Sequence, residues 1–394
     1  MFNRKMYELG SKRSVIRELF EYGKKRAAEV GADKVYDFSL GNPNVPAPEC
    51  VNSAIKDILD SVDSTQVHGY TSAQGDFSVR KTVADYINSR FNTTLDADLI
   101  YMTCGAAASL TITLNAMYEE GDEFVTFAPF FPEYRVFAEA AGGKLIAVSP
   151  NPDNFQIDLV AFEKAVNKHT KAVIMNSPNN PSGVVYTEES VKGVCEILGN
   201  KSREYGHPIF LVSDEPYREI VYNGVTVPYI MNYYDDTVVC YSYSKALSLP
   251  GERIGYIAVS DRSADPKGLY AAICGAGRAL GYVCAPSLMQ QVVKRCVTAT
   301  SDINAYKKNR DLLLDSLTEY GYKCIRPDGA FYLFVKALEE DANAFADRAK
   351  TYGLLLVPGD DFGAKGFVRI SYCVSYDMIR RSLPSFKALA ESYR

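Results

Sequence analysis

Residues 242–255 read Ser242-Tyr-Ser-Lys-Ala-Leu-Ser-Leu-Pro-Gly-Glu-Arg-Ile-Gly255. An apolar run of β type, Val238–Tyr241, leads into two hydroxyls, a single lysine and a glycine-containing turn that carries an arginine. Ser242, Ser244 and Arg253 near a strand end form the donor set of an oxyanion or phosphate cradle, because a guanidinium makes paired contacts to such groups. An amine at Lys245 among them can form an imine with an aldehyde, the usual covalent role of a lysine nucleophile. The same composition also makes, and more commonly, a solvated lysine loop with a surface ion pair between Glu252 and Arg253. The rest of the chain has to decide between these.

Short β-rich runs recur on both sides of this segment, at Leu99–Thr103, Glu123–Ala128, Lys144–Val148, Ala172–Asn176, Ile209–Ser213, Val238–Tyr241 and Gly255–Val259. Several are apolar almost throughout, as expected when helices cover both faces of a sheet. Helical stretches such as Ser109–Tyr118 and Glu188–Glu204 separate most of them. This alternation predicts an α/β layer around a mainly parallel, seven-stranded sheet. After Pro286 the pattern becomes α+β: helical material over Ser287–Tyr320 broken near Thr300–Asp302, β-type runs at Ala330–Val335 and Phe367–Tyr372, and a helix over Ala342–Lys350 between them. Apolar residues at helical spacing from Ser14 to Val30 predict an amphipathic helix. The expected division is an N-terminal arm and helix (1–47) joining a smaller domain, a large domain (48–283), and a linking helix with the small α+β domain (284–394).

The composition narrows the partners. Forty-eight acidic against 43 basic residues give a net charge of -5 with the signs mixed. That leaves no basic footprint for nucleic acid and no polybasic surface for anionic lipid. Neither a signal-peptide core nor a stretch of membrane-span length is present. The nine cysteines contain no Cys-x-x-Cys pair, so no metal site is expected, and all nine read as buried, reduced thiols of a cytoplasmic protein.

Further segments carry chemistry of their own. Thr103-Cys-Gly-Ala-Ala-Ala-Ser leaves a strand and opens a helix, so the amides of Gly105, Ala106 and Ala107 present a helix N-terminus to an anion. Asn176-Ser-Pro-Asn-Asn-Pro-Ser-Gly is a turn between a strand and a helix start. Val212-Ser-Asp-Glu-Pro-Tyr places Asp214 at a strand end with Tyr217 three residues on. Arg369, inside the apolar run of Gly366-Phe-Val-Arg-Ile-Ser-Tyr, is costly to bury unless something pairs with it.

Together with Ser39-Leu-Gly-Asn-Pro-Asn, His68-Gly-Tyr-Thr-Ser-Ala-Gln-Gly and Ala128-Pro-Phe-Phe-Pro-Glu-Tyr, these segments resemble, in order, the motifs of the class I/II aminotransferases. These are pyridoxal-phosphate (PLP) enzymes of fold type I, in the aspartate aminotransferase superfamily. The lysine segment fills every fixed position of that family's Ser-x-Ser/Ala-Lys followed by Gly-x-Arg-x-Gly. The resemblance covers about Gly41 to Arg369. It implies PLP joined to Lys245, with Asp214 at the ring nitrogen and Tyr217 and Asn180 at the ring oxygen O3′. Phe131 would stack on the ring. Ser242, Ser244, Arg253 and the Gly105–Ala107 amides would hold the phosphate, and Tyr70 would reach the phosphate of a partner subunit. Gly41, Asn180 and Arg369 would take the substrate carboxylate. It further implies a homodimer with active sites at the interface, acting on amino acids and 2-oxo acids. A C–S β-lyase, a decarboxylase or a cyclopropane-forming synthase of the same fold has the same cofactor shell. A regulatory sensor would resemble a fusion with an N-terminal DNA-binding domain, for which the residues before Gly41 leave no room. Arg278 is a candidate second cation for an aspartate-type substrate, though it does not align cleanly with the arginine of dicarboxylate-specific relatives. Tyr7, Tyr282 and Tyr332 equally suit an aromatic pocket.

Overall fold

Each of the seven apolar runs is a strand in the computed structural model, which describes residues 2–11 and 15–394. Strand β1 (Tyr36–Asp37) precedes them. They are β2 (Ile100–Thr103), β3 (Glu123–Phe127), β4 (Lys144–Val148), β5 (Thr170–Asn176), β6 (Phe210–Asp214), β7 (Thr237–Ser242) and β8 (Gly255–Val259). They form one sheet in the order β2-β8-β7-β6-β5-β3-β4. Only β8 runs antiparallel to its neighbours, pairing Gly255 with Thr103 on one side and with Ser242 on the other. This is the mainly parallel α/β layer that the residue pattern predicts.

Helices cover both faces, which is why β2, β7 and β8 are buried at every position. One face packs Ile112 and Leu114 of the helix Ala106–Met117 with Val239 and Ile257. The other packs Val191, Val194 and Leu198 of the helix Glu188–Tyr205 with Val125, Val173 and Leu211. Each such side chain contributes roughly 1.5–3 kcal/mol when fully withdrawn from water.

A second core gathers Leu313, Leu317, Leu333, Val368 and Phe386 around a smaller antiparallel sheet. Its strands are β9 (Cys324–Ile325), β10 (Tyr332–Lys336), β12 (Val357–Pro358) and β13 (Phe367–Ser371), while β11 (Leu354–Leu355) pairs with β1. The expected helical break near residues 300–302 is real, separating helices Ser287–Cys296 and Ile303–Tyr320. The N-terminal helix runs over Val15–Val30, with the expected start at Ser14 outside the described residues. Its Leu19 packs with Val357 and Phe362 beside the smaller sheet.

The N-terminal arm carries a short helix, Arg4–Ser11, none of whose side chains is buried. One reading needs correction. The cysteines are free, but only Cys195, Cys240, Cys296 and Cys373 are buried; the other five are half-buried, on element ends and rims where the cover is incomplete. No helix among the described residues is long and apolar enough to cross a membrane.

Candidate active site

The carboxyl ends of β2, β3, β5, β6 and β7 lie along one edge of the large sheet, the position where open α/β sheets bind ligands. A cavity of about 280 Å³ opens there. Lys245, Asp214, Tyr217, Asn180, Phe131, Ala106, Ala107, Ser242, Ser244, Arg253, Gly41 and Arg369 all line it. The strand register explains this convergence, since Asn176 of β5 pairs with Asp214 of β6 and Asp214 with Cys240 of β7. The loops that leave these strands therefore deliver their side chains to one place.

Lys245 follows β7 by three residues, in a single helical turn, Tyr243–Ala246, capped by Ser242. Its Nζ donates to the carbonyl of Gly41 at 2.7 Å. Burial, with Arg253 and Arg369 nearby, pushes its pKa down to about 8. The surface alternative fails, because Arg253 donates to the carbonyl of Pro250 at 2.9 Å and not to Glu252. Gly105 caps the helix Ala106–Met117 with φ +88°, and a Cβ there would stand 2.9 Å from an Arg253 nitrogen. Only glycine lets the guanidinium approach this helix N-terminus so closely.

Asp214 is 4% exposed. Burial raises its pKa to about 7, against the lowering effect of a hydrogen bond from Tyr134. That bond occupies Oδ2 and leaves Oδ1 without a partner. Asn176 Nδ2 donates to the Asp214 carbonyl at 2.8 Å, and its Oδ1 accepts the Asn180 amide at 2.7 Å. Arg369 is 2% exposed, and the titratable neighbours that bear on it among the described residues are Tyr332, Tyr217 and Cys373, none of them a carboxylate. Its Nη1 donates to Asn180 Oδ1 at 3.1 Å and its Nη2 to the Ser39 carbonyl, while Nε has no partner. Burial lowers the pKa of this guanidinium. An unpaired buried cation of this kind is expensive without an anionic ligand.

Not every expected residue lies in the cavity. Tyr70 is 90% exposed and outside it. Arg278 is exposed in the last turn of the helix Pro266–Ala279, and Tyr7 is exposed as well. Tyr282 is half-buried, and of the three tyrosines only Tyr332 enters the cavity. Conversely, Tyr134, Asn176, Leu110, Pro216 and Ile16 belong to the site and were not singled out. Tyr134 lies at the end of the Ala128–Tyr134 motif, three residues beyond Phe131, and its ring meets that of Phe131 edge-on with centroids 5.7 Å apart.

The family "Aminotransferase class I and II" matches residues 33–385. A probable aspartate aminotransferase of Methanocaldococcus jannaschii is 30% identical over 390 residues, covering 96% of this chain and 98% of that protein. The crystal structure of an aminotransferase from Eubacterium rectale superposes with TM-score 0.99 at 57% identity, covering 100% and 99% of the two chains. Aspartate aminotransferase from Thermus thermophilus with maleate gives TM-score 0.87 at 25% identity, with 99% of each chain covered. Its fold-type I architecture is shared from end to end. With its family match running from residue 33 to residue 385 and whole-chain likeness on both counts, this chain belongs to the class I and II aminotransferases and transfers amino groups.

Proposed function

We propose that the enzyme uses pyridoxal 5'-phosphate to move an amino group between an L-amino acid and a 2-oxo acid, with Lys245 as its catalytic amine. One observation carries the reading: a lysine of lowered pKa, a buried carboxylate with an unpartnered oxygen and a buried, carboxylate-free arginine face one cavity. The donor set suits the cofactor. Asp214 Oδ1 awaits a cationic nitrogen, and Ser242, Ser244, Arg253, Ala106 and Ala107 line the cavity as a phosphate cradle, with the Gly105 amide at the cap of the same helix though not in the lining. When bound, the cofactor supplies an aldehyde for the lysine and an electron-withdrawing ring that stabilises negative charge at the substrate α-carbon.

The protein groups then divide the work. Asp214 holds a proton at the ring nitrogen, since a nearby carboxylate favours the cation. Tyr217 and Asn180 hydrogen-bond the ring oxygen, and Phe131 packs against the ring face. Arg369 grips the α-carboxylate as a fork, with Gly41 and Asn180 beside it. Lys245 Nζ takes the substrate α-proton and would return it to the cofactor carbon on the far side of the substrate nitrogen, a role for which a pKa of about 8 is well matched. The enzyme is a cytoplasmic homodimer in this reading, with Tyr70 serving the partner's phosphate; the exposure of Tyr70, Leu280 and Val283 supports this.

Aspartate is the first donor to assay. Among the described residues, the cations lining the cavity are Lys245, Arg253 and Arg369, all engaged above, and the partner's Arg278 is a candidate to pair with a second carboxylate. The Lys245→Ala protein should lose amino transfer by at least about 10⁴-fold, combining the general-base and nucleophilic roles. It should also lose the visible band of the lysine-bound cofactor. Retention of that band overturns the assignment, and release of ammonia or pyruvate in place of keto-acid exchange overturns the reaction class.

A further inference from the structure

We propose that Tyr332 is a positioning residue for this reaction: it donates its phenolic proton to Tyr217, which frees the proton of Tyr217 for the cofactor oxygen. The inference rests on the cofactor reading above. The two hydroxyl oxygens are 2.8 Å apart in a buried setting, with ring centroids at 5.6 Å and an interplanar angle of 79°. A phenol has one proton to give, so one member of the pair must be the donor and the other the acceptor.

Arg369 decides the direction. Its guanidinium carbon stands 4.7 Å from the centre of the Tyr332 ring. A cation beside one phenol makes it the more acidic of the two and hence the better donor. Burial raises the pKa of both hydroxyls and Arg369 works against it at each; Tyr332 stays near 12 while Tyr217 rises well above its ordinary value. Both therefore remain protonated and the hydrogen-bond direction is kept.

The backbone fixes Tyr332 in place. It begins β10, opposite Ser371 of β13, two residues from the Phe334–Arg369 pair. A Cβ on Gly41 would fall 2.0 Å from the Tyr332 hydroxyl, so the hydroxyl rests directly on the loop whose carbonyl receives Lys245 Nζ. Tyr332 thus touches the group that grips the carboxylate, the group that serves the ring oxygen and the loop that holds the amine. Its hydroxyl is an internal reference point for all three.

The test uses the cofactor-loaded enzyme and the pH at which its visible absorbance band titrates. A hydrogen bond to the ring oxygen stabilises its anion and lowers that pH. Tyr332→Phe removes one hydroxyl without changing the ring, and should raise the midpoint by about half to one pH unit, the scale of one neutral hydrogen bond. Tyr217→Phe should raise it at least as much, and the double variant no further than Tyr217→Phe alone. The kcat should fall in Tyr332→Phe with little change in the KM for the amino donor. An unmoved midpoint, or a Tyr332→Phe shift that persists undiminished in the Tyr217→Phe background, overturns the inference while leaving the cofactor reading intact. Absence of any such band in the parent enzyme overturns both.

Discussion

At Asp214, burial and hydrogen bonding pull in opposite directions. Withdrawal from water favours the neutral acid, and the Tyr134 hydroxyl favours the anion. Burial wins, leaving a pKa of about 7 against an ordinary value of 3.8. In cofactor-free protein the folded state therefore binds more protons than the unfolded state between about pH 4 and 7, and stability falls as pH rises through that window. Asp214→Asn should flatten the melting temperature of the apoprotein against pH over this range; an unchanged slope would place the titration elsewhere. Tyr134→Phe should push the Asp214 pKa higher still, and cost about 1–3 kcal/mol at neutral pH by stripping a partner from a buried carboxylate. Thermal melts at pH 5 and 8 separate these two effects.

Among the elements, the seven long strands were legible because their apolar runs are continuous and bounded by turn residues. Strands β1, β9, β11 and β12 were not, since two residues carry no period and their pairing is decided by tertiary contacts. The break before Ile303 was legible in composition, and the structure gives its cause. Asp302 Oδ1 accepts the amides of Asn304 and Ala305 at 3.0 and 3.3 Å, capping the helix that buries Tyr306, Leu313 and Leu317. Asp302→Ala should therefore cost about 1 kcal/mol in denaturant unfolding, a typical N-cap value, with activity unchanged. In the site, residues inside fixed motifs were readable, whereas Tyr134 and Asn176 were not assigned roles. Their importance comes from contacts to Asp214, which no local pattern encodes. Arg278 shows the converse, a motif-like arginine that this chain's own fold leaves on the surface.

Across the whole molecule, the cavity draws on both sheets: Asp214 ends a strand of the large one and Lys245 sits in the turn that follows its neighbour, while Tyr332 and Arg369 belong to the small one. A ligand engaging both sets binds only the folded arrangement, so it must stabilise the entire chain. At a hundredfold excess over its Kd, the cofactor or a carboxylate inhibitor should add about 2.7 kcal/mol to unfolding, read as a concentration-dependent rise in melting temperature. For Arg369→Lys, the rise should shrink for the carboxylate but not for the cofactor. Equal losses for both would mean that the arginine supports the fold and not the ligand.

The chain of bonds from Asp214 through Asn176 and Asn180 to Arg369 has a further consequence. It works as a spacer gauge, tying the two ends of the cavity together through two asparagine side chains, the Asp214 carbonyl and the Asn180 amide. Descendants of this enzyme that take up new substrates would keep that calibration and vary the walls beside it, at positions such as Ile16 and Leu110, where a change of shape leaves the measured length untouched.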